Sequence, residues 1–136
     1  MAFPEGSPTH PSYGAGHATV AGACVTILNG CFDHGWELKS DGARIVSEAD
    51  AHGATLNDVS GNYPDDILTI EGELNKLAAN ISIGRDWAGV HSYTDYYESW
   101  RMGEQIALGI LEEQKLCYGE NFSLTVPLFD GTTNRI

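Results

Sequence analysis

The stretch Ala15-Gly16-His17-Ala18-Thr19-Val20-Ala21-Gly22-Ala23-Cys24-Val25-Thr26-Ile27-Leu28-Asn29-Gly30-Cys31-Phe32 decides how the rest of the chain is read. At 3.6 residues per turn, Ala18, Ala21, Val25 and Leu28 share one side, and Val20, Cys24, Ile27 and Cys31 another. A helix apolar over most of its circumference is predicted to be central to a bundle. Its Ala and Gly positions would let neighbouring backbones come close. Upstream, residues 1–16 carry Pro4, Gly6, Pro8, Pro11, Gly14 and Gly16, which predict an extended, turning lead-in. Downstream, residues 33–72 lack a helical period. From Asp33 to Glu73 ten acidic residues stand against Lys39 and Arg44 alone. A polar insert of this length is a functional loop or an oligomer contact, and the second is the reading preferred here.

Helical period returns over 72–81, where Leu74, Leu77, Ala78 and Ile81 follow the i, i+3, i+4, i+7 spacing. Gly84 is predicted to close this helix. A longer helix is predicted from about Ser92 to Lys115, with Tyr93, Tyr96, Trp100, Ala107, Ile110 and Leu111 as buried candidates. The tail from Tyr118 to Ile136 alternates at Phe122, Leu124 and Val126, and Asp130-Gly131 marks a turn, so a short hairpin or arm is expected.

The chain has 136 residues and a mass of 14.7 kDa, the size of one domain. With 42% hydrophobic and 19% charged residues it has the composition of a folded protein. Its net charge of −12 excludes nucleic acid or an anionic membrane as partners held by the general field, so a bound anion needs a locally cationic pocket. No apolar run approaches the roughly 20 residues of a transmembrane helix. The first residues, Met1-Ala2-Phe3-Pro4-Glu5, lack the basic and apolar regions of a signal peptide, and the native compartment stays open. Cys24 and Cys31 lie about 10 Å apart along one helix, beyond the ~7 Å reach of a disulfide. With Cys117 they are expected to be buried free thiols.

Two segments carry chemistry. The first, His10-Pro11-Ser12-Tyr13-Gly14-Ala15-Gly16-His17, sets two glycines and a histidine where a helix begins. Helix starts offer unpaired N–H groups and partial positive charge, and glycines let an anion approach the backbone. His17 would stand at the rim of that site as a proton carrier, with His10 arriving on the preceding loop. The second segment, Gly84-Arg85-Asp86-Trp87-Ala88-Gly89-Val90-His91-Ser92-Tyr93-Thr94-Asp95, places His91 six residues after Arg85 and Asp95 four after His91. In a helix that last spacing sets Asp95 against His91, where a carboxylate fixes the imidazole tautomer and raises its basicity. Arg85 supplies a planar fork for a tetrahedral oxyanion.

Bland readings stand beside these. A histidine after glycine at a helix start is often a cap, and an Arg near an Asp is often a surface ion pair. A zinc site of His10, His17 and His91 competes as well, though no H-E-x-x-H or Cys-pair spacing supports it. His34 and His52 lie in the polar insert and are expected to be solvated. Three of the five histidines and one Arg nevertheless concentrate in two Gly-flanked segments, each opening a predicted helix.

The segments Pro11-Ser12-Tyr13-Gly14-Ala15-Gly16-His17 and Arg85-x5-His91-x3-Asp95 resemble the second and third signature motifs of the type-2 phosphatidic acid phosphatase and vanadium haloperoxidase superfamily. The stretches Pro4–Ala23, Glu71–Arg85 and Tyr118–Thr133 resemble more closely the vanadium-dependent bromoperoxidases of red algae and cyanobacteria. The resemblance implies a mainly α fold, a helical-bundle fragment with a small C-terminal β element. It makes residues 1–136 the C-terminal part of a single haloperoxidase catalytic domain, with 33–72 as its polar insert and 118–136 as its tail or hairpin.

What the resemblance implies for function is specific. The cofactor would be vanadate. Hydrogen peroxide, a halide (bromide above all) and an organic acceptor would be the reaction partners, and the full-length protein a homo-oligomer. His91 matches the imidazole bonded to vanadium, or the nucleophile of the phosphatase branch. His17 matches the acid–base histidine, Arg85 an oxygen clamp and Gly16 a backbone donor to vanadate. Asp95 matches the carboxylate orienting His91, and His10 the histidine on the halide side. Two departures stand out. Ala15 replaces the serine of the Pro-Ser-Gly-His form, so one hydroxyl donor is missing. The first motif, a Lys followed by Arg-Pro, is not matched at Lys39, Lys76 or Lys115. The expectation is therefore a piece of a longer bromoperoxidase, weakened or inactive alone. An acid phosphatase with a histidine nucleophile and a non-catalytic assembly fragment are the alternatives.

Overall fold

The longest apolar stretch forms helix α1 (Gly16–Cys31). The computed structural model describes residues 6–40 and 42–136. Short strands β1 (Lys39–Ser40), β2 (Ala43–Arg44), β3 (Ser47–Ala49) and β4 (Leu56–Asp58) follow, then helices α2 (Ile70–Trp87) and α3 (Tyr93–Cys117) and strands β5 (Thr125–Pro127) and β6 (Thr133–Arg135). Among the described residues the fold is mainly α, three α-helices with small two-stranded ribbons, in keeping with the expected fold class.

The seam between α1 and α3 is set by missing side chains. A Cβ on Gly103 would run into the Thr19 carbonyl, and one on Gly22 into the Trp100 carbonyl. The small residues thus let the two backbones touch. Ala18, Ala21, Gly22 and Val25 are buried on this side of α1 together with Thr26 and Asn29. The opposite stripe corrects the picture of an all-round buried helix. Val20 is 62% exposed, and Cys24 and Cys31 are exposed as well; on the first side Leu28 is exposed too. Both partner helices pack mainly on the small-residue side, and on the other stripe Ile27 packs against Leu108, Leu111 and Val126 while Val20, Cys24 and Cys31 stay exposed. Cys24, Cys31 and Cys117 are free as expected, but none is buried.

Helix α2 starts at Thr69, whose Oγ1 accepts the Gly72 N–H at 3.1 Å. Glu71 and Glu73 sit in its first turn and Arg85 in its last, complementing the helix dipole. Ala78 packs on Ala21 and Val25, with Leu74 alongside. Gly84 does not end the helix, which runs on to Trp87. An internal glycine costs about 1 kcal/mol and is tolerated. The break comes at Gly89, whose φ of +78° lies in the left-handed region.

Helix α3 is one of the two faces of the core. Ala107, Leu108 and Leu111 are buried, with Glu104, Gly103 and Ser99 on the same side. Tyr93 and Ile110, expected inside, are exposed, because α1 and the C-terminal ribbon take up only one face of the helix. In that ribbon β5 and β6 pair antiparallel, with Val126 opposite Asn134, and Gly131 turns the chain at φ +82°. Val126 is fully buried against Leu108, Leu111 and Ile136. Glu104 accepts the Phe129 N–H at 2.6 Å while Trp100 stacks on the Phe129 ring.

The polar connection is more ordered than its lack of period suggests. It folds as two small antiparallel hairpins, β1 with β2 and β3 with β4. Carboxylates hold them. Asp50 accepts the His52 and Ala54 N–H groups at 3.1 and 2.8 Å, and Asp58 accepts the Ser60 N–H at 2.9 Å. At the base, the His34 and Trp36 carbonyls accept the Glu71 and Ile70 N–H groups, tying the arm to the start of α2.

Candidate active site

The start of α3 organises the site. Asp95 is buried, and its Oδ2 accepts the Ser12 hydroxyl at 2.6 Å and the Ser92 N–H at 3.2 Å. Its Oδ1 accepts the Ser92 hydroxyl at 3.0 Å. Ser12 foremost, and then the two Ser92 bonds against the cost of burial, hold the Asp95 carboxyl below the usual carboxylate range. Asp95 is therefore an anion in the folded protein. His91 Nδ1 lies 3.5 Å from the same Oδ2, with the His91 side chain 13% exposed. The two side chains lie within ion-pair distance, by a route that differs from the expected i, i+4 helical stacking. His91 precedes the helix, and Asp95 reaches back as a capping residue rather than lying one helical turn away.

His91, His10 and Ser12 line one hollow of about 260 Å³ together with Gly89 and Val90. His10 Nδ1 lies 2.9 Å from the Pro11 carbonyl oxygen. Arg85 belongs to the last turn of α2, and its carbonyl accepts the Val90 N–H at 3.2 Å, so it forms the base of the turn that carries His91. Asp86, next in sequence, has its carboxyl pushed up, chiefly by burial; the Asp95 charge adds to this and nearby His91 opposes it.

Gly16 and His17 occupy the first turn of α1. They line a neighbouring, mostly apolar hollow with Val20, Ala21, Cys24 and Ile81. The structure therefore brings His10 and His91 to one hollow, with Asp95 beside His91 and Ser12, and sets His17 and Gly16 beside another. Ala15, directly before Gly16, is fully buried, and its N–H donates to Ser99 Oγ at 2.7 Å. Ser99 is one helical turn beyond Asp95, so the loop 12–15 is pinned to α3 at two successive turns. Among the described residues no group of three or more His, Cys, Asp or Glu side chains could hold a metal ion, so His10, His17 and His91 do not form a zinc site.

Sequence reasoning missed Ser12, Ser99 and Asp86. Ser12 and Asp86 lie inside the quoted motifs, and Ser99 follows Asp95 by four, a polar residue on the face that Gly103 and Ala107 continue. That spacing was the available signal.

The carboxylate and imidazole are presented by a small helical bundle, and similarity to known proteins gives that bundle a family. Residues 2–118 match the family model described as the VCPO second helical-bundle domain, and the chain belongs to that family. It is 57% identical over 136 residues to a vanadium-dependent bromoperoxidase of Corallina pilulifera and 55% identical to that of Corallina officinalis, covering 100% of this chain in both. A vanadium-dependent bromoperoxidase of Ascophyllum nodosum is 37% identical over 133 residues. The chain spans 21% of the length of the two Corallina proteins and 22% of the third.

Proposed function

We propose that this bundle is the part of a vanadate-dependent bromoperoxidase that carries the vanadium-binding imidazole, and that the enzyme oxidises bromide with hydrogen peroxide to hypobromous acid. The observation that carries the proposal is the buried Asp95 carboxylate beside His91 Nδ1, tied through Ser12 to the glycine-rich segment ahead of α1. The donor set fits an oxyanion. With Nδ1 turned to Asp95, His91 Nε2 is the nitrogen left to meet vanadate, and the anionic partner raises its basicity. The first-turn N–H groups of α1, Gly16 included, have no intrahelical partner, and Ala15 before them brings no capping side chain.

Vanadate, when bound, supplies a Lewis-acid centre that activates peroxide towards halide. The chain's own residues have separate tasks. Asp95 holds the His91 tautomer. Gly16 N–H and the Arg85 guanidinium offset the negative charge of the oxyanion. His17 gives and takes the proton on the α1 side, and His10 shapes the halide side of the hollow it shares with His91.

The test is a bromination assay on the full chain with vanadate, bromide and peroxide, using a phenolic or β-diketone acceptor. Turnover that disappears without vanadate and in His91→Ala is the expected result. Phosphate-ester hydrolysis without bromination would replace this reading with the acid phosphatase. The Lys and Arg-Pro of the first motif are not among these residues, so bromination is proposed to be weak here. A longer chain that includes them should bind vanadate more tightly, and equal affinity refutes that part.

A further inference from the structure

We propose that Ser99 is a positioning residue for the oxyanion: its hydroxyl oxygen fixes the Ala15–Gly16 peptide and so aims the Gly16 N–H and the His17 ring. The inference rests on the oxyanion reading above. Ser99 is 2% exposed on α3, and its Oγ accepts the Ala15 N–H at 2.7 Å. Ala15 is the residue before α1, with a ψ of 105° that keeps it outside the helix, and it carries no capping side chain of its own. The direction in which α1 presents its first free N–H groups is therefore set from outside, by α3. Gly14 completes the fit, since a Cβ there would lie 2.8 Å from Ser99 Oγ. One turn earlier, the Asp95 carboxylate accepts the Ser12 hydroxyl. Two hydroxyl contacts on consecutive turns of α3 thus bind the His17 loop to the element that positions His91.

In Ser99→Ala the Ala15 N–H is left buried without its acceptor. The loss of such a bond shifts an equilibrium by about tenfold, and the loop then samples other directions. Two measurements on the full chain test this, each with orthovanadate and with inorganic phosphate as the probe. Amide exchange should speed at Ala15 and Gly16 in Ser99→Ala while the Val25 amide keeps its rate, and the Kd for both anions should rise about tenfold. Gly14→Ala should weaken binding in the parent chain but add little in the Ser99→Ala background, because the atom it strikes is gone. Faster exchange with unchanged Kd would mean a purely structural contact and would overturn the inference, as would additive effects of the two substitutions. A parent chain that binds neither anion overturns the oxyanion reading itself, a result separate from the other two.

Discussion

The α1–α3 seam and the arm of residues 33–69 come from the same chain and are held by opposite means. In the seam, Gly22 and Gly103 let two helices close until backbone meets backbone, and the gain comes from buried apolar contact. In the arm, strands of two and three residues are largely exposed, and local bonds to the carboxylates of Asp50 and Asp58 set the turns. The seam is intolerant of added volume and is held by apolar contact rather than by carboxylates. The arm instead depends on carboxylates that titrate. The candidate site lies at the open end of the seam, where its close packing gives way to polar bonds between α3 and the loop ahead of α1.

The largest effect should come from adding bulk where the helices touch. Gly103→Leu cannot be accommodated without parting α1 from α3, and should cost about 3 kcal/mol or more, seen as a lowered denaturant midpoint. Should Gly103→Leu leave the midpoint unchanged, the seam is not where stability resides. Next, Val126→Ala opens a void under the C-terminal ribbon and should cost about 2 kcal/mol in the same titration, with the site untouched. Asp95→Ala removes both the cap of α3 and the partner of Ser12, an expected loss of about 1 kcal/mol. Unlike Val126→Ala, it should also weaken vanadate binding about tenfold or more, so the ratio of the two effects separates packing from positioning.

The smallest effect belongs to the arm. Asp50 has its carboxyl held below the ordinary value, first by the Ala54 N–H. A lowered folded-state value means that its contribution is complete above the usual carboxylate pKa of about 4 and fades as pH falls through the lowered one. Acid titration followed by NMR should therefore release the His52 and Ala54 amides first at low pH, with the bundle still folded. Asp50→Asn should remove that transition and move the melting temperature by no more than about 2 °C. A bundle that unfolds together with those amides would contradict the division between the two regions.

Much of the bundle was legible because helical periodicity is a local property. The register of α1, the Leu74–Ala78 face of α2 and the Ala107 and Leu111 positions of α3 all follow from spacing. Boundaries were less legible. Gly84 looked like a stop, yet only Gly89 adopts the positive φ that ends the segment, and φ is decided by what packs around a glycine. Exposure was misjudged for Val20, Ile110 and the three thiols, because an apolar stripe does not specify its covering partner. In the site, the His91–Asp95 spacing was readable, whereas the roles of Ser12 and Ser99 depend on residues more than 80 positions away.

The order of residues alone determined that this protein would be a small acidic bundle of helices with two glycine-flanked histidine segments, since composition, period and short-range spacing act within a few residues. Which hydroxyls hold those segments to α3, which side of α1 is closed, and how His91 comes to face Asp95 were decided only on folding. Those contacts join groups far apart along the chain, and their energy exists only once close packing of the helices has excluded water from between them.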